Sequence, residues 1–275
     1  MTRTILITGT SSGYGKAVAE HFLARGWNVV ATMRRPDAAA FSTKSERLKL
    51  LPLDVTSSES IEKAIADGTA AFGAIDVLVN NAGIGLAGAV EATPDETIRE
   101  VFQTNTFGVF ATCRAIIPLM RKQGRGVIVN VTSSAGIAPM PLAIYAASKC
   151  AVEGFTESLA YELDLFGIRA RLVEPGYAPT TSFSSNSGER MNGLIPTDYG
   201  SFAQSYFQKM ANYPTPYCTE AEVAETVFAA ATEEGRRIRY PAGADTRLVA
   251  ELRWTTSEDH YLEKMRELFA PRVAR

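Results

Sequence analysis

Tyr145 and Lys149 stand four residues apart in LAIYAASKCAV, residues 142–152, a stretch that otherwise reads as a small-residue helix. At that spacing the two side chains share one helix face. An ammonium beside a phenol favours the phenolate and lowers the tyrosine pKa from its usual value of about 10, which suits a group that trades a proton near neutral pH. The pair is therefore a candidate acid/base unit; a tyrosine packed on a lysine stem at an exposed surface has the same spacing. Upstream, NVTSSAG sets three hydroxyls side by side, Thr132, Ser133 and Ser134, at the end of an apolar run. Ligands of open α/β sheets bind at such strand ends, where a hydroxyl is placed to hold a carbonyl oxygen.

A second constellation lies near the start of the chain. ILITGTSSGYGKAV puts Gly9, Gly13 and Gly15 between an apolar run and a helical pattern, with Ser11 and Ser12 as further donors. Glycines let the backbone approach a pyrophosphate, and the free N–H groups of the helix start hold its charge. A plain tight strand-to-helix turn would look alike. At the end of the next apolar run, an acid would meet a free ribose 2′-hydroxyl and a base a 2′-phosphate. Here ATMRRPD has Met33, then Arg34 and Arg35. The planar guanidinium fork matches phosphate oxygens, so NADP(H) is expected over NAD(H); two arginines capping a strand end in solvent are the plainer alternative.

The elements that must position these groups follow from periodicity. Short β-branched runs at 4–8, 28–33, 48–53, 76–80, 126–132 and 168–174 alternate with longer helical patterns. Strands apolar on nearly every residue are buried on both faces, so the expectation is a Rossmann-like, doubly wound parallel α/β sheet with helices on both faces. Thr56 with Glu59, Thr93 with Glu96 and Thr219 with Glu222 have capping-box spacing, and Pro94 fits a first helical turn. In IREVFQTNTFGVFATCRAIIPLM, residues 98–120, Asn105 takes a place in an apolar stripe, where an amide is costly unless hydrogen-bonded. From Thr180 to Pro216 the rhythm breaks into Ser, Asn, Gly and Pro mixed with aromatics, which predicts a substrate lid at 180–216. Residues 245–275 read as a C-terminal helical extension of a single domain spanning 1–275, covering either the substrate pocket or a subunit interface.

Composition removes other classes. The chain has 275 residues, 46% of them hydrophobic, and a net charge of −2. No basic block points to nucleic acid or an anionic membrane. Three separated cysteines, Cys113, Cys150 and Cys218, have neither disulfide-framework nor zinc spacing, so no metal is expected. Neither a secretory signal nor an apolar run long enough to span a bilayer is found, which predicts a cytosolic protein. His21 and His260 are read as structural or surface residues.

Taken in order, TGTSSGYG (8–15), LDV (53–55), NNAG (80–83), Asn105, the serines 133–134, YAASK (145–149) and EPG (174–176) closely resemble the short-chain dehydrogenase/reductase family, from about Thr4 to residue 243. Aligning NVTSSAG through Asn130 and Gly136 selects Ser133 over Thr132. The resemblance implies a catalytic set of Asn105, Ser133, Tyr145 and Lys149. It implies cofactor contacts at Gly9, Ser11, Ser12, Gly13, Tyr14, Gly15 and Arg34, at Asp54 and Val55 for the adenine, at Asn81, Ala82 and Gly83, at Tyr145 and Lys149, and at Pro175, Gly176 and Thr180 on the nicotinamide side. NNAG also stabilises the central strand in this family. The implied reaction is hydride transfer between NADP(H) and a carbonyl or alcohol, with Tyr145 giving the proton, Ser133 polarising the oxygen and Asn105 completing a proton relay. The aromatic lid and the apolar residues after Ser133 suggest an apolar ketone or aldehyde. A β-ketoacyl thioester reductase and a non-catalytic NADP(H)-binding redox sensor are the alternatives, and a homo-oligomer, dimer or tetramer, is expected by resemblance.

Overall fold

The computed structural model describes residues 2–177, 179, 181, 188 and 190–270. The six apolar runs form strands β1 (Thr4–Thr8), β2 (Asn28–Met33), β3 (Leu48–Pro52), β4 (Val77–Asn80), β5 (Gly126–Val131) and β6 (Ile168–Pro175). β7 (Arg239–Ala242) adds a strand too short and too polar to declare itself by periodicity. All neighbours pair in parallel, in the order β3-β2-β1-β4-β5-β6-β7. The order reverses between β1 and β4, and in such sheets the crevice beyond the strand ends at that point is where ligands bind.

Helices α1 (Gly13–Ala24), α2 (Ser58–Phe72), α3 (Asp95–Phe102), α4 (Gly108–Gln123) and α5 (Ala143–Asp164) fill the crossovers. α6 (Gly200–Ala211), α7 (Glu220–Thr232), α8 (Ala244–Thr255) and α9 (Glu258–Phe269) follow β6. Alternation along the strands sends side chains to two cores. Ile5, Ile7 and Val29 face Val18 and Phe22 of α1 and Val227 of α7, whereas Leu6, Val30 and Leu78 face Ile61 of α2, Ile116 of α4 and Leu159 of α5. Among the described residues no helix is long and apolar enough to cross a membrane.

Two of the three expected capping boxes form differently. Thr219 and Glu222 make the reciprocal pair, with Thr219 Oγ1 accepting from Glu222 N and Glu222 Oε2 from Thr219 N. Ser57 rather than Thr56 caps α2, because the Thr56 amide and hydroxyl both donate to Asp54 Oδ1. α3 starts at Asp95 with Pro94 just outside it, and Thr93 Oγ1 donates back to Ala89 O. The stripe from Ile98 to Ile116 is not one regular helix either: a π-type turn over Gln103–Phe107 joins α3 to α4. Such insertions in a helical ladder commonly mark functional positions, and this one carries Asn105. In the aromatic segment the described residues include α6; Thr180 lies outside the described residues.

Candidate active site

A cleft of about 1180 Å³ opens at the carboxyl ends of the strands. Gly9 lies there after β1, Arg34 after β2, Asp54 and Val55 after β3, Asn81 to Gly83 after β4, Ser133 after β5, and Pro175 and Gly176 at β6. Residues far apart in sequence converge because every parallel strand delivers its end to the same edge.

Tyr145 and Lys149 line this cleft and are both buried, so surface packing does not describe them. Lys149 Nζ donates to Val131 O at 3.1 Å and lies 5.9 Å from the Tyr145 ring centroid. Burial pushes Tyr145 up to about 12, a side-chain hydrogen bond with Ser133 pulling the other way, and pushes Lys149 down to about 8 against the attraction of Glu153. This corrects the expectation that the lysine lowers the tyrosine pKa. Desolvation disfavours both charged forms, and the ammonium is turned towards a carbonyl.

Of the three adjacent hydroxyls, Ser133 is the one bonded to Tyr145. Its Oγ also accepts from Ala135 N at 3.2 Å. Asn105 is fully buried behind the pair. Its Oδ1 accepts from Ile84 N at 2.8 Å, and its Nδ2 donates to Ile84 O at 2.9 Å and Ser148 Oγ at 3.1 Å. A Cβ on Gly83 would stand 3.3 Å from Asn105 Oδ1 and 3.5 Å from Lys149 Nζ, so all three meet at one point.

At the other end, Gly9 has φ +73°, and a Cβ there would lie 2.9 Å from Ala82 Cα. Ser11, Ser12, Gly13 and Tyr14 face the cleft, and the Ser12 side chain does not cap α1. The N-terminal N–H groups of α1 therefore lack that internal acceptor, as an anion-binding helix start requires. Gly15 is different: a Cβ would sit 2.2 Å from Gly9 O and 2.4 Å from Asn81 Nδ2, so its place is in the packing under the turn and not on the cleft surface. Asn81 Nδ2 donates to Thr8 O and Gly9 O, while Asn80 joins Asn130 and Thr112 in a buried network. NNAG thus fastens the central strands as well as edging the cleft. Asp54 is held below its usual range by the Thr56 amide first, with Arg34 adding to it. Arg34 is exposed at the rim. The cradle of backbone N–H groups, the glycine contact and the basic rim fit a dinucleotide.

The remaining wall is aromatic and apolar, with Met140, Tyr177, Tyr206, Phe207, Tyr213 and Tyr217. Tyr213 stacks on Tyr217 and on Phe269 of α9, at centroid distances of 5.8 and 5.9 Å. The Tyr261 hydroxyl donates to Ile137 O at 2.5 Å, tying α9 to the loop after Ser133. The C-terminal extension therefore lies against the cleft. Sequence reading missed Tyr177, Tyr217 and Asp245 as cleft residues; Asp245 directly follows the glycine turn after β7, and only that turn hinted at it.

A family model for short chain dehydrogenases matches residues 3–191. The chain is 35% identical over 277 residues to the uncharacterized oxidoreductase YusZ of Bacillus subtilis, covering 94% of this chain and 97% of that one. It is 42% identical to the 3-ketodihydrosphingosine reductase of Bacteroides thetaiotaomicron over 183 residues, 66% of each chain. A short chain dehydrogenase/reductase of Burkholderia phymatum, solved in complex with NAD, superposes with a TM-score of 0.78 at 26% identity, over 99% of this chain and 98% of that one. With the fold, the strand-end cleft and these likenesses in agreement, the chain belongs to the short-chain dehydrogenase/reductase family of oxidoreductases.

Proposed function

We propose that this oxidoreductase is NADP(H)-dependent and reduces an apolar ketone or aldehyde. The observation that carries the reading is the hydrogen-bonded Ser133–Tyr145 pair, which faces the same cleft as the glycine turn and Arg34. Gly9, Ser11, Ser12, Gly13 and Tyr14 would hold the pyrophosphate, Arg34 the 2′-phosphate, Asp54 and Val55 the adenine, Asn81 to Gly83 the adenosine side, Lys149 the nicotinamide ribose, and Pro175, Gly176 and Thr180 the nicotinamide. The bound dinucleotide supplies the hydride.

Ser133 Oγ holds the substrate carbonyl oxygen, which fixes the reacting group at the mouth of β5 and stabilises charge as it develops there. Tyr145 Oη, whose raised pKa keeps its proton in place until the oxygen becomes basic, donates to that oxygen. Lys149, with its lowered pKa, and Asn105, which clamps the Ile84 backbone, would relay a proton to the tyrosine. The aromatic wall excludes water and favours an apolar substituent. The Bacteroides relative, a 3-ketodihydrosphingosine reductase, agrees in reaction type.

NADPH and NADH are titrated separately into wild type and Tyr145→Phe, following binding by fluorescence and turnover over a ketone and aldehyde panel. Tighter NADPH binding, with turnover abolished in the variant but cofactor still bound, supports the reading. NADPH binding without any turnover in wild type favours a redox sensor, and turnover confined to β-ketoacyl thioesters favours that narrower reductase. We further propose self-association through the C-terminal end of α5, where Tyr161 and the capping Leu165, one turn on, are each 82% exposed; sedimentation of Tyr161→Glu/Leu165→Glu against wild type tests it.

A further inference from the structure

Asp245, in the first turn of α8, is a buried carboxylate that the proposed chemistry does not use. It borders the cleft, and two glycines make room for it: a Cβ on Gly176 would lie 1.9 Å from its Oδ2, and one on Gly243 2.5 Å from its Oδ1. Oδ2 accepts from Tyr177 N at 3.1 Å. The carbonyl of that same peptide unit, Gly176 O, accepts from Tyr14 Oη at 2.9 Å. A peptide group is planar, so holding its N–H and its C=O from opposite sides fixes its rotation. One grip comes from the C-terminal extension and the other from the glycine turn.

We propose that Asp245 and Tyr14 act together as positioning residues that lock the Gly176–Tyr177 peptide into the wall of the dinucleotide cleft, so that α8 sets the affinity for the cofactor. This rests on the dinucleotide reading given above. Stability does not account for the carboxylate. Burial raises Asp245 to about 6, and hydrogen bonds from the Thr246 and Tyr177 amides only partly oppose it. The groups facing it are Tyr14 of α1, Tyr213, Tyr217 and Cys218 in the connection before α7, and Glu222 of α7, which pushes the same way and itself has Arg247 of α8 at 4.0 Å. The native state takes up a proton between about pH 6 and about pH 4 that the unfolded chain does not, so the group lowers stability above pH 6 and ceases to do so as pH falls. A costly local feature at a cleft wall is where function is expected to override stability.

The test is a double-mutant cycle on the NADPH dissociation constant at pH 8, with Tyr14→Phe, Asp245→Ala and both together. Each single variant should weaken NADPH by about tenfold, and the pair by little more than the worse single, because both hold one peptide. Fully multiplicative losses, or unchanged affinity in Asp245→Ala, overturn the proposal. Asp245→Asn, which keeps a carbonyl acceptor for the Tyr177 amide, should recover most of the affinity at pH 8 and melt no lower than wild type there. A lower melting temperature with unchanged affinity in Asp245→Ala marks a purely structural residue and overturns the proposal. Should wild type bind no NADPH, the dinucleotide reading fails by itself; exchange of the Tyr177 amide, protected in wild type and at least about tenfold faster in Asp245→Ala, then reads the lock directly, and an unprotected amide in wild type overturns it.

Discussion

Thr132 Oγ1 donates to Glu153 Oε1 at 2.5 Å, so the hydroxyl next to Ser133 points away from the cleft and into α5. Ser133 itself is extended, with φ −174° and ψ 157°, and successive side chains of an extended chain face opposite sides. That alternation is why Ser133 reaches Tyr145 and Thr132 does not. Glu153 is in turn bonded to Arg239 of β7, which also holds Glu174 of β6 and Glu157 of α5. A Cβ on Gly136 would lie 2.9 Å from Glu153 Oε1. The loop carrying Ser133 is thus seated on a buried carboxylate whose charge an arginine from the sheet edge balances.

Glu153→Gln keeps the volume and an acceptor for Thr132 but removes the charge facing Arg239. Because Glu174 and Glu157 remain on the arginine, the loss should be about 1–3 kcal/mol, that of a charge-assisted hydrogen bond, and less than that of an orphaned buried ion. Urea unfolding of the variant against wild type measures it; an unchanged midpoint would mean the carboxylate does not seat the loop.

Ser133→Ala and Thr132→Val separate the two hydroxyls. The serine variant should lose roughly 10²–10³ in kcat, the cost of removing one donor to a developing oxyanion, with little change in unfolding free energy. The threonine variant should lose about 1–3 kcal/mol of stability by stranding Glu153, with a much smaller effect on kcat. Steady-state kinetics with chemical denaturation of both variants decides, and an equal fall in kcat would remove the distinction between them.

The sheet was legible in the sequence because buried parallel strands write themselves as apolar runs: Thr4–Thr8 and Asn28–Met33 were read to the residue. Asn105 stood out as an amide in an apolar stripe, although the π-type turn around it left no mark in the periodicity. Glu153, Glu174 and Arg239 could not be read as a cluster, since each looks like a surface charge until three elements meet. Asp245 was hidden for a related reason: of the two glycines that admit it, Gly176 lies 69 residues away. Spacing reports the neighbour but not the desolvation, and burial is the largest influence on the Tyr145 pKa, opposed by the Ser133 hydrogen bond.

Arg34 supplies the only side chain of the pair Met33–Arg34 able to meet a 2′-phosphate. Arg34→Ser should weaken NADPH by about 10–100-fold, the scale of one charge-assisted contact, and leave NADH within a few fold. Dissociation constants for both dinucleotides in both proteins measure this. Equal weakening of the two would place the arginine in general attraction and not in phosphate recognition.

Lys149 links stability to pH in the direction opposite to a surface lysine. Its pKa falls from 10.5 in the open chain to about 8 in the fold, because burial disfavours the ammonium. Between those values the unfolded chain binds the proton and the native protein does not, so stability rises with pH from about 8 to about 10.5, and below 8 the penalty is present in full. Lys149→Met keeps an unbranched apolar stem and removes the charge. Without cofactor, it should therefore be more stable than wild type at pH 7, on the order of 1–3 kcal/mol, with the difference shrinking as pH approaches 10.5. If the proposed relay runs through Lys149, its turnover should fall by roughly 10²-fold or more. Unfolding free energies of both proteins at pH 7, 8.5 and 10 give the answer. A variant less stable than wild type at pH 7 would mean that the Val131 carbonyl and Glu153 hold the ammonium more strongly than burial opposes it.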